Sequence, residues 1–285
     1  GSDYRSKLYP FPENHFPKLP ASALKNLNFA LRIDTVMIRN SYFKYHEYRP
    51  PALQPGEIWF SDINVQGRNI TNDTVSISRD QFMRFNASAR LMGTAGLGLN
   101  LEFDLNHHND YYRANGVLNN FDMTDLNPIL EHVAFVKVTK GRNHMLEFFY
   151  EADDDVAKGK MSFEYKKLHI RLIDKKTLQV KGFGETVASF IANTFVVRRN
   201  NPKFLIFKRK GDIYFRRDKQ KSFFNYLTKS TLSGVNSTIR GVNEERKEKR
   251  RKREMERQVR KEGRLDDRYM KELNRQKKSK SQPPE

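Results

Sequence analysis

The sequence predicts a mainly β protein whose long, curved antiparallel sheet forms an open groove or half-barrel, with a short internal helix and C-terminal helices. Runs of alternating apolar and polar residues, turn residues between the runs, and a late slip in the alternation support this fold class. The clearest run is "LGLNLEFDLNHH", residues 97–108. Because successive side chains of a strand point to opposite faces, one face there carries only Leu97, Leu99, Leu101, Phe103 and Leu105.

The first 26 residues are predicted to be an extended lead-in. Four prolines (Pro10, Pro12, Pro17 and Pro20) disfavour a helix or a central strand. Gly1 and Ser2 are typical of the remnant of a cleaved tag. We therefore expect the natural chain to extend further upstream.

Alternating strands are predicted from residue 27 onward. The runs "NFALRIDTVMIRN", "SYFKYHEY" and "GEIWFSDINVQGRNI" are separated by Asn40-Ser41 and by Pro50-Pro51, which favour turns. The run "QFMRFNASARLMG" then places Met83, Phe85 and Leu91 on one face.

A short helix near residues 124–133 is predicted to interrupt the strands, with Thr124 as its cap. Two further strands follow, with turns expected at Lys140-Gly141 and at residues 153–155. In the second strand the alternation of Met161, Phe163 and Tyr165 loses phase at Lys166-Lys167. A slip of one residue predicts a β-bulge that bends the sheet.

Helical spacing appears twice near the C-terminus. It is seen in residues 187–195 and again in residues 222–239. We expect the second helix to face a membrane through Phe223, Phe224, Leu227, Val235 and Ile239. Residues 241–285 form a charged tail, predicted to be helical or disordered, with too few apolar side chains to bury a core.

The charge of +19, from 53 basic and 34 acidic residues, favours anionic partners. Residues 243–285 hold 17 basic and 10 acidic side chains, so an excess of +12 remains in the rest. No cysteine is present, which excludes disulfides and thiolate chemistry. The histidines lack metal-ligand spacing, and no nucleophile elbow or phosphate loop appears. We therefore predict no enzyme activity, no metal and no cofactor.

The apolar strand faces leave two readings open. A second sheet could cover them, as in an ordinary sandwich. Alternatively, an open trough could hold lipid tails. In the second reading the acyl chains contact Met83, Phe85, Leu91, Leu97, Leu99, Leu101, Phe103, Leu105, Met161, Phe163 and Tyr165.

Three phrases together resemble the AsmA-like family of bacterial envelope proteins, related to the bridge-like lipid-transfer proteins. They are "LRIDTVMIRNSYFKYHEY" with "GEIWFSDINVQGRNITND", then "NNFDMTDLNPILEHVAFVKVTKGRNHMLEFFYEADDDVAKGKMSFEYKKLHIRLI", and "GDIYFRRDKQKSFFNYLTKSTLSGVNSTI". The resemblance covers residues 27–240. It implies an apolar β-groove, an N-terminal membrane anchor, and movement of phospholipid between membranes or support of the outer membrane.

The expected function is therefore non-enzymatic lipid binding or transfer in the periplasm or at a membrane of a Gram-negative envelope. The expected partners are phospholipid, an anionic membrane surface and other envelope proteins. The alternative is a basic adaptor or structural protein whose closed β core is inert. Such an adaptor would bind nucleic acid or an acidic partner through residues 205–280, although nucleic acid is disfavoured because no known binding module is present.

Overall fold

A computed structural model describes residues 16–49, 52–173, 197–202, 208–241, 245–246, 248–257 and 259–260. The chain divides into two compact units, residues 1–242 and residues 243–285. The first contains all the strands described below. The predicted helix at residues 187–195 lies outside the described residues.

The first unit is a single antiparallel sheet of eight strands, in which every strand pairs with the next one along the chain. The strands are β1 Arg32–Glu47, β2 Gly56–Thr71, β3 Phe82–Leu91, β4 Ala95–Asp104, β5 Tyr112–Asp122, β6 Val136–Ala152, β7 Val156–Leu172 and β8 Lys210–Arg216. The sheet is open, because β1 and β8 are its two edges and do not pair with each other. This confirms the predicted mainly β class.

Two of the predicted turns are instead irregularities inside strands. Asn40 adopts a positive φ of 48°, but β1 continues through it, and its pairing with β2 shifts register between Ile38 and Ser41. Lys140-Gly141 likewise lies within β6. The bulge predicted at Lys166-Lys167 is confirmed, since Lys167 has a φ of 56° and the register with β6 shifts nearby.

Short helices join the strands. Helix α1, Pro20–Lys25, is part of the lead-in that had been expected to be extended; Pro is tolerated at a first helical position because its missing N–H has no partner there anyway. Helix α2 is Thr74–Arg79, with Asp73 as its cap. The predicted internal helix is confirmed as a composite of three single turns, Met123–Leu126, Asn127–Ile129 and Leu130–Ala134, which we call the internal helical segment.

The sheet curls at the end where β1 joins β2. Ala52, between these strands, shares one buried cluster with Phe135 and with Ile173, which directly follows β7. In a flat sheet β2 and β7 would stand about 24 Å apart, five spacings of about 4.8 Å. Contact across that span requires strong curvature. The internal helical segment reinforces it, because Arg49 donates from Nη1 to the Val133 carbonyl at 2.8 Å.

Helix α3, Phe223–Arg240, follows β8 and packs on β7 and β8. Ser222 caps its first turn and Gly241 ends it at a φ of 68°, the left-handed conformation common after helices. Its bounds agree with the predicted helix at residues 222–239.

The second unit is described only by helical residues at 245–246, 248–257 and 259–260. Their side chains are mainly charged and exposed, including an ion pair of 2.8 Å between Arg250 Nε and Glu254 Oε1.

Candidate apolar binding surface

Strand register separates the sheet into an apolar and a polar face. On β3 and β4, Phe85 lies opposite Leu101, and Ala87 lies opposite Leu99. The same rows continue to Gly67 and Val65 on β2. Because directly opposed residues in an antiparallel pair share a face, these rows form one continuous apolar face.

The polar face carries a row of ion pairs that crosses three strand boundaries. Arg84 contacts Glu102 at 3.1 Å, Glu102 contacts Arg113 at 3.3 Å, and Arg113 contacts Glu151 at 3.4 Å. A further hydrogen bond from Arg84 lowers the pKa of Asp80 below its ordinary value. Exposed ion pairs add little stability, but their exposure identifies this face as the solvated one.

The structure divides the eleven predicted lipid-contacting residues into two groups. Seven are buried by the protein's own side chains: Met83, Leu91, Phe103, Leu105, Met161, Phe163 and Tyr165. Four are half-buried: Phe85, Leu97, Leu99 and Leu101. All eleven belong to the first unit, but only the second group has accessible apolar surface.

An aromatic cluster fills one end of the apolar face. The ring of Phe103 lies 5.4 Å from that of Tyr112 and 5.4 Å from that of Phe223 at the start of α3. Leu19 and Leu24 of the α1 region belong to the same buried core. Since Phe103 is only 2% exposed, this end of the face is occupied by protein.

Helix α3 covers the side of the apolar face formed by β7 and β8. Of its predicted membrane-facing residues, Phe223, Leu227, Val235 and Ile239 pack against the core of the sheet. Phe224 is 73% exposed. The apolar stripe of this amphipathic helix is therefore directed mainly toward the sheet.

Burial decreases steadily with distance from α3. Along one row of the apolar face, Met161 on β7 is 1% exposed, Leu99 and Val65 are half-buried, and Ile38 on β1 is 45% exposed. Phe43, whose ring lies 6.4 Å from that of Phe60, is also exposed on β1. We use the name open apolar surface for six residues of the uncovered part: Ile38, Phe43, Val65, Ala87, Leu97 and Leu99.

Four members of this surface, Ile38, Phe43, Val65 and Ala87, were not singled out from the sequence. Ala87 was visible in the β3 alternation. The others were hidden by bulges, because the register of β1 and β2 shifts between Ile38 and Ser41, and that of β2 and β3 shifts between Ser61 and Asn64. A strand that changes phase no longer shows a simple two-residue period.

A shallow depression of about 320 Å³ lies over β1, β2 and β3. Its lining includes Met37, Gln66 and Asn86, which form a row alternating with the apolar one. The lining also includes Ile38, Val65 and Ala87, which belong to the open apolar surface.

In the described ranges, His, Asp and Glu side chains form no group of three that could hold a metal ion. No helix in this part of the chain combines the length and apolarity needed to cross a membrane. Comparison with protein-family models, curated proteins and solved structures finds no match to this chain.

Proposed function

We propose that the chain binds phospholipid acyl chains on the open apolar surface and acts, without catalysis, in lipid transfer or outer-membrane maintenance in a Gram-negative envelope. The supporting observation is the exposure of apolar side chains on one face of an open sheet whose other face is charged. The resemblance to AsmA-like proteins supports the periplasmic or membrane-associated setting and the phospholipid partner.

The energetics favour a hydrocarbon ligand. Each CH₂ group removed from water contributes about 0.8 kcal/mol, so a few methylene groups on Leu99, Val65 and Ile38 would give measurable affinity. The open apolar surface has few polar atoms to impose a particular head group. We therefore infer selection for acyl chains rather than for one phospholipid species.

The net charge of +19 supports an anionic membrane as the source of lipid, because basic proteins accumulate at anionic surfaces. The charged helical residues of the second unit, including exposed Arg250 and Arg251, are suited to the same attraction.

The test is lipid extraction and native mass spectrometry of the full chain after incubation with vesicles of phosphatidylethanolamine and phosphatidylglycerol. The wild-type chain is expected to retain phospholipid. Leu99→Asp should lose most of it, because a carboxylate on the open apolar surface would be desolvated by an acyl chain. Leu99 is a better target than Phe103, whose replacement by Asp would place a charge inside the core.

The matched control is Asn100→Asp, which adds the same charge to the next residue of β4 on the polar face. It should retain lipid at the wild-type level, and circular dichroism should show that both variants fold. Equal loading of the two variants, or no lipid on the wild-type chain, would contradict the proposal. Salt-sensitive binding of nucleic acid with no lipid recovered would favour the basic adaptor instead.

A further inference from the structure

Strand β1 is an edge strand with unusual surface properties. It is 16 residues long and, among the described strands, has a neighbour on one side only. Edge strands are normally short, charged or covered, since their free N–H and C=O groups invite pairing with another chain. Here Met37 and Tyr42 are 53% and 62% exposed, and Ile38 and Phe43 are also exposed.

These apolar side chains occur on both faces of the strand. Ile38 pairs with Val65 on the apolar face, so the adjacent Met37 points to the polar face. Phe43 contacts Phe60 on the apolar face, so Tyr42 points to the polar face. Side chains on each face of an edge strand lie beside those of a strand that pairs with it, so pairing at this edge would cover part of this apolar surface.

From this geometry we infer that β1 pairs antiparallel with β1 of a second copy of this chain. Placing Arg39 beside Asn40 of the second copy sets Met37 opposite Tyr42, and Val36 opposite Phe43. The two residues of each pair lie on the same face of the sheet. They do so because the bulge between Ile38 and Ser41 reverses the alternation of side chains in the middle of β1. The bulge itself falls on the twofold axis, where the two residues beside it need no regular partner.

Charge complementarity supports the same register. Arg32, at the start of β1, is placed opposite Glu47, at its end, and the symmetry repeats this pair at the other end of the interface. Within one chain, Arg32 Nε forms an ion pair with Asp34 Oδ1 at 3.4 Å, and both side chains are mostly exposed. Opposite charges placed directly across a strand pair favour the pairing, and like charges oppose it.

The twofold axis of such a pair is perpendicular to the sheet, so both apolar faces remain on the same side. The two open apolar surfaces would then be continuous across the interface. The pairing does not depend on lipid binding and can be tested without lipid.

The first test is the mass of the full chain in solution by light scattering across a wide range of concentrations. A concentration-dependent dimer is expected. Arg32→Glu and Glu47→Arg should each weaken it roughly tenfold, because each creates two like-charge contacts. The double variant should restore the wild-type dissociation constant. The proposed pairing is overturned if the wild-type chain is monomeric at every concentration. It is also overturned if the double variant forms a weaker dimer than either single variant.

Because the chain has no cysteine, a second test reports the register directly. Met37→Cys and Tyr42→Cys variants, mixed under mild oxidation, should form a disulfide-linked dimer, since directly opposed Cβ atoms are about 4.5 to 5.5 Å apart. Either variant alone should form far less. This register is excluded if the mixture of the two variants forms no cross-linked dimer. It is also excluded if each variant alone cross-links as well as the mixture does. Circular dichroism of each variant establishes that these exposed positions tolerate the change.

Discussion

Gly234 of α3 lies directly against Met161 of β7. A Cβ atom at residue 234 would stand 3.0 Å from Met161 Cε and 2.7 Å from Ile213 Cγ1, closer than atoms in a relaxed core approach. The missing side chain therefore allows the helix to lie close to the apolar face and to bury Met161.

Gly234→Val is expected to destabilise the first unit by about 1–3 kcal/mol, because overpacking must shift either the helix or the two side chains. Denaturant unfolding measures the change. Asn236→Val is the control: it adds the same β-branched residue to an exposed position of α3 and should cost well under 1 kcal/mol, as surface substitutions do. Similar losses in both variants would show that helix propensity, and not the contact with Met161, dominates.

The open apolar surface gives a second prediction. Ala87 lies between Val65 and Leu99 on neighbouring strands, and its small side chain leaves space above the sheet. Ala87→Phe is expected to reduce phospholipid loading severalfold while the chain still folds, because the ring would occupy the space proposed for an acyl chain. Mass spectrometry of extracted lipid provides the measurement.

Ser88→Phe is the matched control for Ala87→Phe. It places the same ring on the neighbouring residue, which is exposed on the polar face, and should leave lipid loading unchanged. Equal reduction in both variants would indicate a general disturbance of β3 rather than occupation of the open apolar surface.

The sequence predicted the strand series well where one face of a strand is almost uniformly apolar, as in residues 97–105. It also located the bulge at Lys167, where the apolar period visibly reverses. The bulge at Asn40 was misread as a turn. An asparagine with positive φ is typical of both features, and only the continued pairing of β1 with β2 distinguishes them.

Burial along a single strand could not be predicted in the same way. Leu99 and Phe103 share a strand and a face, but Phe103 is covered by Phe223 and by the core that includes Leu19, whereas Leu99 is half-buried. The covering residues are distant in sequence, so a local pattern contains no information about them. The apolar stripe of α3 was likewise compatible with a membrane or a sheet.

Asp122 gives a pH-dependent prediction. Its carboxylate accepts hydrogen bonds from the Thr124 hydroxyl at 2.7 Å and the Thr124 N–H at 3.0 Å, which lower its pKa below the ordinary value. A lowered pKa stabilises the fold at neutral pH, and this stabilisation is lost as the pH falls below about 4 and through the folded-state pKa.

Asp122→Ala should therefore cost about 1 kcal/mol at pH 7, the usual value of a helix cap, and the difference from wild type should shrink at acidic pH. Urea unfolding at several pH values measures this. Asp122→Asn should retain most of the stability at pH 7, because Asn also caps, but lack the acid-dependent part. A difference between wild type and Asp122→Ala that stays constant as the pH falls would refute the assigned role.

Two buried tyrosines differ in whether their hydroxyl has a partner. The Tyr165 hydroxyl donates to the Arg198 carbonyl at 3.0 Å, whereas that of Tyr226 has no hydrogen-bond partner among the described residues. Burial, followed by the nearby Asp153 charge, raises the pKa of Tyr226 above its ordinary value, so this hydroxyl stays protonated throughout the physiological range.

Tyr226→Phe is therefore expected to leave stability unchanged or to raise it by up to about 1 kcal/mol, because it removes a polar group that is desolvated without compensation. Tyr165→Phe should instead cost about 1 kcal/mol, since it leaves a backbone carbonyl without its donor. Both rings stay in place, so packing is nearly constant and thermal unfolding compares the hydroxyl groups alone. A larger loss for Tyr226→Phe than for Tyr165→Phe would mean that the Tyr226 hydroxyl is satisfied, for example by a buried water molecule between it and Arg217.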